Sequence, residues 1–158
     1  MTRSKANISF VALLVILFLT FLDNTIISAV LTSVQSKLHA GVPQLQWVVG
    51  GYALTFAAFM LIFGSIGDIL GRKKIMLAGV TVFIVGAVLC AVSTDLKSLI
   101  IGRLVMGVGA AASEPATLAL ISRLYSDKAS QSRAFGIWAA VSGLALAMGP
   151  VLGGSLLS

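Results

Sequence analysis

Charge is what this sequence has least of. Sixteen charged side chains, eleven basic and five acidic, make up 10% of its 158 residues, whereas 58% are hydrophobic and mean hydropathy is +1.06. A water-soluble domain needs roughly a quarter of its residues charged to coat its surface, so a soluble globular fold is excluded. Cysteine is nearly absent too. The single Cys90 rules out an internal disulfide framework and, inside an apolar run, reads as a small apolar filler. The lone histidine, His39, is far from Asp23 in sequence. No catalytic constellation, metal ligand set or cofactor site can be assembled, and an enzyme is not expected.

What is there instead is a series of apolar runs. Crossing a hydrocarbon layer of roughly 30 Å takes about 20 apolar residues in a helix. Five such spans are expected, at residues 8–30, 45–67, 75–92, 98–121 and 134–157. The fold class is all-α, a polytopic membrane helix bundle forming one membrane domain over 1–158, with the lipid bilayer as its first partner. No soluble domain, low-complexity tract or tandem repeat interrupts it. Pro43 precedes the second span, where a helix can begin but not continue.

The net charge of +6 suggests nucleic acid, but nucleic-acid binders spread Lys and Arg along one exposed face. Here the basic residues cluster between apolar runs, so no nucleic-acid partner is expected. Arg3, Lys5, Arg72, Lys73, Lys74, Arg123, Lys128 and Arg133 fall on one side of the expected topology, and only Lys37 and Lys97 on the other. The positive-inside rule then predicts a cytoplasmic N-terminus in the cell membrane. Arg3 and Lys5 before an apolar run also fit a signal peptide. The run nevertheless leads into Asp23-Asn24-Thr25 without a small-residue cleavage site, so an uncleaved helix is expected. The fifth span would exit on the far side, and a chain stopping at Ser158 without a polar tail reads as a cut.

Three charges lie inside spans: Asp23, Arg103 and Glu114. An intramembrane charge costs several kcal/mol unless paired or wetted, and so marks function by default. At a rise of about 1.5 Å per residue, Asp23 lies roughly 22 Å above the inner surface and Arg103 roughly 21 Å. Equal depth predicts a pair if the first and fourth helices are neighbours, serving either function or a static bridge. Thr20, Asn24 and Ser28 extend a polar stripe beside Asp23. Glu114, three turns beyond Arg103 on the same face, is expected within about 5 Å of the cytoplasmic boundary, as a cavity-facing proton or cation site or as an interfacial acid. Pro115 follows it and frees a carbonyl one turn back. In the fifth span Ala145, Gly149 and Gly153 form one small-residue stripe and Gly136, Ala140 and Gly143 another, both suited to helix packing in lipid.

Several motifs sit at matching places. Gly64-Ser65-Ile66-Gly67-Asp68-Ile69-Leu70-Gly71-Arg72-Lys73-Lys74, after the second span, resembles the signature loop of the major facilitator superfamily. Gly71 permits a tight reversal, and Asp68 can accept from Arg72 or a helix N-terminus. Leu22-Asp23-Asn24-Thr25-Ile26-Ile27 and Gln46-Trp47-Val48-Val49-Gly50-Gly51-Tyr52 resemble the first and second helices of its drug:proton antiporter branch, usually of fourteen helices. Arg103 to Ala111 resembles the fourth-helix motif. Gly143 with Gly149-Pro150-Val151-Leu152-Gly153-Gly154 is similar to the fifth-helix exporter motif. Asn24 and Glu114 depart from the commoner residues at their places.

This resemblance implies the incomplete first half of a longer transporter of twelve or fourteen helices. Proton-coupled efflux of hydrophobic or cationic small molecules would need the missing C-terminal helices as partners, and the fragment alone is not expected to transport. It further implies Asp23, Arg103 and Glu114 in proton coupling. Gly64, Asp68, Gly71, Arg72 and Lys73 would form a conformational latch, and Gly143, Gly149, Pro150, Gly153 and Gly154 a moving contact. A solute importer of the same superfamily, or a small membrane scaffold or regulator, remain alternatives.

Overall fold

The structure is a computed structural model that describes residues 3–155, with side chains from Asn7 onward. It consists of five helices: α1 (Arg3–Leu38), α2 (Val42–Leu70), α3 (Arg72–Ala91), α4 (Leu96–Leu124) and α5 (Lys128–Ser155). All five are long and apolar enough to cross a membrane. The end of the expected fifth span at residue 157, and Ser158, lie outside the described residues.

The helices run past the expected spans, and the connections are correspondingly shorter. Between α2 and α3 only Gly71 is non-helical, where residues 68–74 were expected to connect. Apolarity stops at the headgroups, but backbone hydrogen bonds continue as long as polar side chains reach water. Hence Asp68, Arg72, Lys73 and Lys74 ride on helix ends rather than in a loop. Gly71 makes the reversal at φ 101°, in the left-handed region where a side chain is penalised. His39 ends α1 in the same region, at φ 48°.

Capping fixes the other ends. Asp95 accepts from the Ser98 N–H at 2.9 Å to start α4, and Asp127 accepts from the Ser130 N–H at 2.9 Å to start α5. These bonds favour the charged forms and hold both carboxyls below the usual Asp range. Gly41 N–H donates to Gln44 Oε1 at 2.8 Å at the start of α2, with Pro43 in its first turn. The α4–α5 turn is tied by Gln131 Nε2, which donates to the carbonyls of Ser122 and Tyr125.

The central helix is α4. More than half of its most apolar stretch is buried, against less than a quarter in any other helix. It packs closely on α3 and α2, while α1 packs on α5, and the two groups meet chiefly where α1 crosses α4. Glycine explains the closeness of α3 to α4. A methyl at Gly79 would stand 2.7 Å from the Gly109 carbonyl oxygen, and one at Gly86 2.7 Å from the Met106 nitrogen. Cys90 fills the upper part of this seam beside Gly102 and Met106, as an apolar filler does. With lipid as apolar as leucine, such backbone approach supplies the attraction that burial supplies in water.

Candidate functional site

The α1–α4 crossing is polar. Phe10, Leu13, Leu17, Thr20 and Ile27 recur at helical spacing as the buried face of α1, and Asp23 falls on that face. From α4, Arg103 reaches it: Nη1 stands 2.6 Å from Asp23 Oδ2. Arg103 is 1% exposed, the largest fully buried side chain among the described residues. Its Nε donates to the Val48 carbonyl of α2 at 3.1 Å, and its guanidinium carbon stacks 4.6 Å above the centre of the Tyr52 ring. One cation thus joins three helices. It does so through a charge-assisted bond, a backbone acceptor and an aromatic face.

Asp23 is less enclosed, with 27% of its side chain exposed. It opens onto a cavity of about 570 Å³ between α1 and α3, otherwise apolar, with Thr20, Ile26, Phe83 and Ala87 among its lining. The two ends of the ion pair therefore differ. The cation is locked in protein, and the carboxylate has access to whatever fills the cavity.

Glu114 stands nearer to Asp23 than its expected depth implied, its carboxyl within reach of the Thr20 side chain, one turn from Asp23 on α1. On the scale that puts Asp23 roughly 22 Å above the inner surface, Thr20 lies at roughly 18 Å. The expected depth of about 5 Å assumed that α4 spans only the hydrocarbon, yet its 29 residues extend to about 43 Å, and packing sets its register against α1. Thr20 is buried, its hydroxyl directed at the carbonyls of Ile16 and Leu17, whereas Asn24 and Ser28 are exposed. The predicted polar stripe therefore divides between two faces. Pro115 lies within an unbroken α4, and the Thr117 hydroxyl just beyond it accepts from Trp138 Nε1 of α5 at 3.1 Å.

The signature segment forms a compact ion pair: Arg72 Nη2 and Nε lie 2.7 and 3.0 Å from the same oxygen, Asp68 Oδ1. The Arg72 stem covers Gly67, and Asp68 is 61% exposed. Gly64 has open space on its side-chain face, and Lys73 is exposed. The fifth-helix motif splits in two. Gly149 and Gly153 are buried against Thr25, Ile26 and Ala29 of α1, while Gly143, Pro150 and Gly154 face outward. Of the two small-residue stripes, the one through Ala145, Gly149 and Gly153 is the packing face against α1; Gly136 and Gly143 touch nothing.

Tyr52 is the site residue that sequence reasoning did not single out. It appeared only as the end of a motif, although a tyrosine within an apolar span is itself a signal. A phenol needs a partner when buried.

A multi-pass helix bundle whose interior holds charged side chains beside a cavity is an arrangement found in membrane transporters. The Major Facilitator Superfamily profile matches residues 13–158, and the chain belongs to that family. It is 38% identical over 98% of its length to the methylenomycin A resistance protein of Bacillus subtilis. It is 36% identical over 89% of its length to the multidrug resistance protein Stp, and 34% over 87% to the drug efflux pump JefA, both of Mycobacterium tuberculosis. The chain spans 34% of the first of these relatives and 26% and 27% of the others.

Proposed function

We propose that this chain contributes the substrate- and proton-handling helices of a drug exporter that exchanges protons for hydrophobic or cationic small molecules. The observation that carries the reading is the Asp23–Arg103 pair, whose carboxylate opens on an apolar cavity while its cation is sealed. A carboxylate in that position is neutralised either by a proton or by a cationic substrate, and competition between the two is antiport. Arg103 is the standing counter-charge with which either cation competes for Asp23. Glu114, one turn along the same crossing, is a second carboxylate through which the coupling runs. The apolar lining binds without directionality, which suits the resistance and efflux proteins it resembles.

In this reading the N-terminus is cytoplasmic in the cell membrane. Asp68 and Arg72 latch one conformation, and the outward Gly143, Pro150 and Gly154 meet helices like those of its longer relatives. Transport then belongs to the assembled halves rocking about a central site.

The test is a chimera in which this chain replaces the matched first third of the Bacillus subtilis relative. Everted vesicles are assayed for uptake of a fluorescent lipophilic cation. Uptake is expected to need an imposed pH gradient and to fall at least about tenfold with Asp23→Asn, the loss of one transition- or binding-state interaction of about 1.4 kcal/mol. Uptake indifferent to the gradient, or unchanged in the variant, overturns the proposal.

A further inference from the structure

The Arg103 cluster leaves two polar atoms over. Tyr52 is 2% exposed and Arg103 1%, and among the described residues neither the Tyr52 hydroxyl nor Arg103 Nη2 has a hydrogen-bond partner. They belong to one contact, because the guanidinium lies over the ring that carries the hydroxyl. Leaving a buried donor unmade costs about 1–3 kcal/mol, and a charged donor more. A polar spot that offers two or more partners is where proteins hold internal water, which typically makes about three hydrogen bonds.

The surroundings point the same way. Phe56 stacks against Tyr52 with ring planes 4° apart, which fixes the phenol's orientation. The phenol is in electrostatic reach of both carboxylates, Glu114 and Asp23. From α4 it is faced by Arg103 and Glu114, from α1 by Asp23, and from α3 by the thiol-bearing Cys90 in the same apolar cluster; α5 lies against α1. Tyr52 thus touches the cation of the ion pair directly, with both acids among the charges around it. No other described side chain there has an unused hydroxyl: Thr20 and Thr117 turn theirs to backbone, and Thr55 donates to the Leu104 carbonyl at 3.0 Å.

We propose that Tyr52 is a positioning residue of the coupling site, its hydroxyl and Arg103 Nη2 holding a buried water that links the Asp23–Arg103 pair to Glu114. The assignment rests on the proton-coupled reading above and gives it a physical link: two carboxylates joined by one hydrogen-bonded chain titrate as a pair rather than separately. The ring has a different task. It carries the cation–π contact, which does not need the hydroxyl.

The experiment uses the full 158-residue chain in lipid nanodiscs and reads the infrared carboxyl stretch between about pH 4 and pH 10, a window that brackets ordinary and raised acid titrations. Asp23→Asn and Glu114→Gln assign the bands. In the unmodified background, removing one acid is expected to move the other's midpoint by about one pH unit or more. In Tyr52→Phe that mutual shift disappears while the thermal midpoint holds, since the stacked ring remains; Tyr52→Leu loses both. A mutual shift that persists in Tyr52→Phe overturns the assignment. Absence of a titrating band assigned to Asp23 or Glu114 in the unmodified chain overturns the proton-coupled reading and the assignment with it.

A second measurement needs no variant that folds differently. The chain has two tyrosines, so with ring-labelled tyrosine, water-edited solid-state NMR compares Tyr52 with Tyr125. Rapid transfer from water to the Tyr52 ring carbon bearing oxygen supports the bound water. No transfer to Tyr52 beside clear transfer to the partly exposed Tyr125 overturns it.

Discussion

Two seams meet on α4, and they are built from opposite chemistry. Against α3 the contact is dry and made by backbones. Gly79, Gly86, Gly102 and Gly109 leave no room for a methyl group, so neither helix can slide or rotate without a clash. Against α1 the contact is sparse and made by side chains, with an ion pair at 2.6 Å and the Glu114 carboxyl beside Thr20. Side chains can exchange partners, and backbones wedged together cannot. The comparison assigns rigidity to the α3–α4 pair and adjustability to the α1–α4 crossing.

The strongest attempt to break the comparison is Gly109→Leu. Four added carbons meet the Phe83 backbone and the Gly79 carbonyl, and the cost is expected at the upper end of overpacking, about 3 kcal/mol or more. Detergent-titrated unfolding of the reconstituted chain should find no stable folded population.

Removing charge at the other seam should cost somewhat less and be repairable. Asp23→Asn leaves Arg103 buried without its counter-charge, a loss that reaches about 3 kcal/mol in closed sites and is smaller here because Asp23 is partly open. Adding Arg103→Met to it should restore most of that stability, since a neutral pair needs no counter-charge. If the double variant is as unstable as the single one, the crossing is not adjustable in the sense argued here.

The mildest test lies on α5, which has a packed stripe and a free one. Alanine at Gly149 pushes into Thr25 and should cost about 1–3 kcal/mol, whereas alanine at Gly143 meets open space and should be neutral or gain up to about 1 kcal/mol of helix propensity. Equal effects at the two positions would show that α1 and α5 do not pack as described.

Much of the bundle was legible beforehand. The five helices follow from apolar run length, because hydrocarbon thickness and helical rise are constants. The Asp23–Arg103 pair was anticipated from equal depth, on the condition that the first and fourth helices are neighbours, since two charges at one level of an apolar slab have few other partners. The same arithmetic did not bring Glu114 within reach of Thr20. It assumed a helix no longer than the membrane, while α4 overshoots and takes its register from its neighbours. Nor did spacing say which α5 stripe packs on α1, for both stripes have the same period and residue sizes. Tyr52 was passed over because its contact with Arg103 joins α2 to α4 across 51 positions of sequence.

Composition by itself determined the solvent: a chain of such long apolar runs folds in lipid as helices, because a helix satisfies its own backbone within each run. It also determined that any charge left within the spans must find company. Which company was decided by tertiary packing alone. The choice of face and register depends on where glycines let backbones touch, a property of pairs of helices that no single helix carries.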